Sequence, residues 1–239
     1  MLEVKKLSKR FGGLTAVNEV SLSIAKAEIV ALIGPNGAGK TTLFNLIAGA
    51  MPRDGGEVLF DGRNLPHQGS AATCLAGLAR TYQIPQLFTS MTVLDTVLVA
   101  GLCRGSSIRL ARIEAMDVLE RVGLAGREDQ ASSALTISGK KRLEVARALA
   151  TQPRVLLLDE VMAGLNLSEV NGLLEMIREL RAGGMTILLV EHNIDAVLNI
   201  ADRVIVMDQG RKIADGLPRE VLSQPEVIRS YLGDGYAVA

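Results

Sequence analysis

Apolar residues in this chain fall into short blocks, most of them followed by a stretch with helical periodicity. "EIVALIG" leads into "KTTLFNLIAGA", "RVLLLDE" into "SEVNGLLEMIRELRAGG", "MTILLVEH" into "NIDAVLNIA", and "RVIVMD" closes the series. Short runs of β-branched and leucine residues with helices between them predict a buried, mainly parallel sheet. From Ser168 onward, Val170, Leu173, Leu174, Ile177 and Leu180 share one helical face. The first sixty residues read differently: "LEVKKLSKRFGG", "AVNEVSLSI" and "GEVLFDG" alternate and carry turn glycines, which predicts an antiparallel sheet at one edge. Between Ile84 and Ala150 no strand-like run of that quality occurs, and "SSIRLARIEAMDVLERVGL" is helical. The pattern therefore predicts one domain over 1–239: an antiparallel edge and first part of the core over 1–83, a helical subdomain over 84–150, and the rest of an α/β core with C-terminal helices over 151–239.

Composition narrows the function classes. The chain has 239 residues, 48% hydrophobic and 22% charged, with 26 basic side chains against 26 acidic. That balance leaves no global positive field to attract nucleic acid, so nucleic acid is not expected as a partner. No apolar run approaches the ~18–20 residues of a membrane span; Lys26 and Glu28, or Asp159 and Glu160, interrupt the longest. The start "MLEVKKLSKRF" lacks the apolar centre of a signal peptide. Cys74 and Cys103 stand far apart in sequence with no paired spacing, so a reduced chain with neither disulfide nor cysteine-bound metal is expected.

The chemistry concentrates in "GPNGAGKTT", Gly34 to Thr42, placed between a strand and an apolar-periodic helix. Glycines let backbone N–H groups wrap an oxyanion, and the helix adds its positive N-terminal end. Asn36, Gly37, Ala38, Gly39, Lys40, Thr41 and Thr42 are the candidate nucleotide-binding residues. Lys40 would reach the β- and γ-phosphates of ATP, and the Thr41 hydroxyl would face Mg2+. "RVLLLDE" supplies the partner element, a buried strand ending in two carboxylates. Asp159 would hold Mg2+ through its water shell, and Glu160 would polarise the attacking water. The fold class that follows is α/β, with a P-loop nucleoside triphosphate hydrolase core.

An ordered set of further residues resembles the ATP-binding cassette family of transporter ATPases over essentially the whole chain. The set comprises Phe11 in "KRFGGLTAV", Gln83 in "ARTYQIPQLF", "AGLN" after Glu160, and His192 in "LLVEHN". The resemblance implies that Phe11 stacks on adenine with Val17 beside it. It implies that Gln83 touches Mg2+ or water and senses the membrane partner, and that His192 hydrogen-bonds the γ-phosphate. It also implies a dimer in which a Leu-Ser-Gly-Gly-Gln-type element of one chain contacts ATP on the other. Here that element aligns with "LTISG", putting Thr136, Ser138 and Gly139 toward the nucleotide in trans. Ser138 replaces a glycine and Gly139 the glutamine. Two accounts follow: a helix start slipped by one or two residues, or a weaker half-site in a heterodimer. Asn166 is a second departure, where the family commonly has aspartate.

"FGGLTAV", "GPNGAGKTTLFNLIAG", "ARTYQIPQLFTSMTVLDTV", "DEVMAGLN" and "LLVEHN" resemble the ATPase subunits of branched-chain amino acid importers. That branch implies transmembrane permease subunits, a second ATPase subunit or a homodimer, an external solute-binding protein acting indirectly, and a place on the cytoplasmic face of the inner membrane. An exporter ATPase of the lipopolysaccharide type, an ATP-sensing non-hydrolysing scaffold, and a DNA-repair or chromosome-type ATPase are the alternatives. The last of these would need long coiled-coil or metal-binding insertions that a compact neutral chain lacks.

Overall fold

In the computed structural model, which describes residues 1–82, 88 and 90–232, the chain runs β1 (Leu2–Phe11), β2 (Leu14–Ile24), β3 (Ile29–Ile33), α1 (Lys40–Ile47), β4 (Gly55–Phe60), β5 (Arg63–Asn64), α2 (Ser70–Ala76) and β6 (Leu78–Arg80). It continues α3 (Val93–Gly101), α4 (Ile108–Arg121), α5 (Ile137–Ala150), β7 (Val155–Asp159), α6 (Leu167–Ala182), β8 (Thr186–Val190) and α7 (Ile194–Ile200). β9 (Arg203–Asp208), β10 (Arg211–Gly216), α8 (Pro218–Leu222) and α9 (Pro225–Leu232) complete it. Two compact units result: Met1–Ser70 with the segment from Thr186 onward, and Ala71–Met185.

In the first unit β3 is buried along its whole length and lies between β8 and β9, parallel to both, with Ala31 opposite Leu189 on one side and Val204 on the other. A strand covered on both faces needs no polar alternation, which is why "IVALI" and "TILLV" are unbroken apolar runs. β10 then pairs antiparallel with β9. The second sheet of this unit, in the order β2-β1-β4-β5, is antiparallel and carries the alternating sequences. Arg203 ties its end to the first sheet: its Nε donates to Glu28 at 2.8 Å, its guanidinium pairs with Asp215 at 2.6 Å, and it also donates to the Ser23 carbonyl.

In the second unit β6 and β7 pair in parallel, Leu78 opposite Val155 and Arg80 opposite Leu157. The helices start on side-chain caps. Thr92 accepts from the Asp95 N–H, Ser107 from that of Leu110 and Thr136 from that of Gly139, each satisfying a donor that the helix cannot. Arg142 of α5 donates to the Val122 carbonyl at 2.8 Å, in space that the missing side chain of Gly172 leaves open. The α/β class and both sheet types agree with the apolar pattern. β6, β10 and α2 were not legible in it: β6 is only three residues long, and the other two mix polar and small residues with no apolar run.

Candidate functional site

The phosphate loop follows from the end of β3. Gly34, Gly37 and Gly39 have φ of 147°, 81° and 96°, in the region that favours glycine. At Gly39 the requirement is also steric: a Cβ there would lie 2.2 Å from the Ala16 carbonyl oxygen. At Gly34 it would lie 2.1 Å from that of Met207. The loop is thus pressed against β2 and against the β9–β10 turn. The contact is stitched by the Gly210 N–H on the Ala38 carbonyl at 3.0 Å and the Asn18 N–H on the Gly210 carbonyl at 2.8 Å.

α1 begins on Gly39 with no side-chain cap, so its first N–H groups are presented by the loop itself. Lys40 is buried, and its ammonium donates to the carbonyls of Gly34 at 2.7 Å and Pro35 at 2.9 Å. A cation is thereby held across the loop. Asn36, Gly37 and Thr41 are exposed, Thr42 is half-buried and Ala38 is buried. In the same unit Phe11 is 49% exposed beside the Lys9 ammonium, 5.6 Å from its ring centroid. Val17 is fully buried in the core face of β2 and presents no surface to a ligand, so only Phe11 of that pair has an open face. His192 is exposed just past the end of β8, and the next residue, Asn193, caps α7.

The second unit holds the carboxylate pair. Asp159 ends β7, 3% exposed, and its N–H donates to the Thr81 hydroxyl. Its carboxylate lies 3.6 Å from the Arg80 guanidinium, which stacks 4.5 Å over the Tyr82 ring. Burial pulls the Arg80 pKa down, against Tyr82, Asp159 and Glu144. Burial likewise pushes the Glu144 carboxyl up, opposed mainly by Arg147, which donates to it at 2.8 Å. Glu160 turns the chain at φ 47°, and its carbonyl accepts from the Lys141 ammonium at 2.9 Å and the Ala163 N–H at 3.2 Å. Gln83 lies outside the described residues.

The altered signature resolves into a defined helix start. α5 begins at Ile137 with Thr136 as its cap, so the register is the unslipped one. The Thr136 hydroxyl accepts from the Gly139 N–H at 3.2 Å, which leaves its own proton to donate outward. Thr136 is exposed, Ser138 half-buried and Gly139 buried against Leu135. Asn166 also has a structural role: it caps α6 in a reciprocal box with Glu169, two bonds of 3.0 Å. The two cysteines, distant in sequence, are both free thiols; burial pushes the Cys103 thiol up, and the neighbouring Cys74 adds to that. Sequence reasoning missed Arg80, Lys141 and Glu144. Only "ART" before Gln83 and the paired lysines after Gly139 hinted at them.

Comparison with known proteins gives consistent matches. The ABC transporter family model matches residues 17–163, and that of the branched-chain amino acid ATP-binding cassette transporter matches 211–237. The chain is 43% identical to the high-affinity branched-chain amino acid transport ATP-binding protein LivG of Salmonella typhimurium, over 98% of both chains. It is 38% identical to BraF of Pseudomonas aeruginosa, described in the same terms, at the same coverage. Among solved structures it is similar to a nucleotide-free ATP-binding cassette from an ABC transporter, with TM-score 0.90 and 32% identity over 98% of this chain and 99% of that one.

Proposed function

The chain belongs to the ATP-binding cassette family of transporter ATPases, and from that premise we propose that it powers uptake of branched-chain amino acids or closely related small solutes. Its activity is ATP hydrolysis. The cargo reading is carried by one observation, the full-length similarity to LivG and BraF together with the branch-specific match at the C-terminal end.

The residues divide the work as follows. Phe11 offers a flat apolar face for adenine. The N–H groups from Gly37 to Thr42 wrap the phosphates, and Lys40 exchanges its loop carbonyls for phosphate oxygens. The Thr41 hydroxyl would face Mg2+ and Asp159 would act through its water shell, roles that suit an ion which takes one or two protein oxygens and fills its shell with phosphate and water. When bound, it neutralises charge on the phosphates. Glu160 polarises the attacking water and His192 hydrogen-bonds the γ-phosphate; Gln83, outside the described residues, takes its role toward Mg2+ or water and the membrane partner from the family resemblance alone.

Thr136, Ser138 and Gly139 act on ATP held by a second ATPase subunit, identical or a sister. ATP then closes the dimer and hydrolysis opens it. Transmembrane permease subunits read that cycle through the helices α3 to α5, from the cytoplasmic face of the membrane, while an external solute-binding protein delivers cargo. The exposed apolar residues Ile108, Leu110, Ile113 and Met116 on α4 support a protein partner there. Among the described residues no helix is long and apolar enough to cross a membrane.

The test is ATP hydrolysis and leucine uptake in vesicles carrying the assembled transporter, with Glu160→Gln as control. Leucine-stimulated turnover that the variant abolishes supports the reading. ATPase activity without branched-chain uptake overturns the cargo, and full turnover by Glu160→Gln overturns the assignment of the base.

A further inference from the structure

Glu160 has a backbone conformation that side chains other than glycine rarely adopt, so its surroundings must hold it. From the strand side, the Thr81 hydroxyl fixes the N–H of Asp159. From the other side, the Lys141 ammonium donates to the Glu160 carbonyl at 2.9 Å. Lys141 is 6% exposed, which is unusual for an ammonium, and one of its bonds goes to a main-chain oxygen. A carbonyl held by Lys141 and by the Ala163 N–H fixes the peptide plane that follows Glu160. That plane constrains ψ of Glu160 and hence the direction of its side chain.

Lys141 sits in α5 only five residues after Thr136 and two after Gly139. The helix is continuous from Ile137 to Ala150, so its first turn and Lys141 move together. We propose that Lys141 is a positioning residue that ties the orientation of Glu160, serving this chain's own ATP, to the helix start that engages the partner subunit's ATP. Displacement of α5 on closure thereby reaches the catalytic carboxylate of the same chain, and each site senses whether the other is filled. This rests on Glu160 being the water-activating base.

The experiment compares wild type, Lys141→Met, Lys141→Gln, Lys141→Arg and Glu160→Gln as full-length chains. It reads kcat and KM for ATP, equilibrium binding of trinitrophenyl-ATP, and melting temperature. Lys141→Met is expected to lower kcat by about 10- to 100-fold, the scale of an ångström-size misplacement, with nucleotide affinity within about twofold of wild type. Lys141→Arg, which keeps a charged donor, is expected to recover most of that loss. Lys141→Gln is too short to reach and serves in place of Met if Met does not fold. A wild-type kcat in the Met or Gln variant overturns the inference, as does a loss that tracks melting temperature and that Arg does not rescue. Combining Lys141→Met with Thr136→Ala tests the coupling: losses less than multiplicative support it, and independent losses overturn it. If Glu160→Gln itself turns over normally, the underlying reading has failed, and the two failures are thus distinguished.

Discussion

Adding one methyl group to the phosphate loop, at Gly39 or at Gly37, separates backbone strain from steric fit. Both residues have positive φ, 96° and 81°, so alanine at either position meets a conformational cost of about 1–2 kcal/mol. Around Gly37 nothing lies within 4 Å of the added Cβ, and strain is the whole cost. At Gly39 the Cβ would sit 2.2 Å from the Ala16 carbonyl oxygen, an overlap that backbone movement alone can relieve. Forcing such an atom into a packed site costs a further ~1–3 kcal/mol. With melting temperatures of domains this size falling by ~2–4 °C per kcal/mol, Gly37→Ala should lose roughly 2–8 °C and Gly39→Ala roughly 4–20 °C. Scanning calorimetry without nucleotide measures the difference, and ATP titration should show the larger loss of affinity at Gly39. If the two variants melt within about 1 °C of each other, the loop is not pressed against β2 and the steric argument fails.

Three further outcomes are expected. Lys40→Ala removes the cation held across the loop and should weaken ATP binding by about 100-fold or more in isothermal titration, since charge-assisted bonds contribute ~1.5–3 kcal/mol each; unchanged affinity would sink the phosphate-loop assignment. Asn166→Ala breaks the reciprocal cap of α6 and should cost about 0.5–2 kcal/mol by denaturant titration, whereas Asn166→Asp should stay close to wild type. The Cys103 thiol, pushed up by burial and by Cys74, should react with iodoacetamide slowly at pH 8 and keep accelerating past its ordinary 9.0. Because the native thiol then holds its proton more tightly than the unfolded one, its contribution to stability falls as pH rises through that range; a labelling rate that levels off below pH 8.5 would contradict this.

What could be read in the sequence was local. The unbroken apolar runs of β3, β7 and β8 announce burial on both faces, and "GPNGAGKTT" carries its chemistry in nine consecutive residues. Features that depend on distant pairs were hidden. Lys141 reads as a solvated lysine beside Lys140 until its ammonium is found on the Glu160 carbonyl, 19 positions away. Val17 was expected beside Phe11 at the base, yet its side chain is buried in β2 while Phe11, at the end of β1, is half exposed. Asn166 looked like a departure from a family pattern, and its side chain proved to be a helix cap, a role asparagine fills as well as aspartate does. At the start of α5, Thr136 and Ser138 could each have capped the helix, and only the backbone geometry separates them.

The phosphate loop is made early and enclosed late. Gly34 to Thr42 leave the ribosome about 170 residues before Met207 and Gly210, whose main chain forms part of their wall. At ~5–20 residues per second the loop spends roughly 10–35 s of synthesis without that support. During that interval the glycines that make the finished loop specific leave it loosely defined. Shaping of the loop therefore waits for the β9–β10 turn, and a chain truncated before that turn carries every residue of the motif without the wall that packs against it.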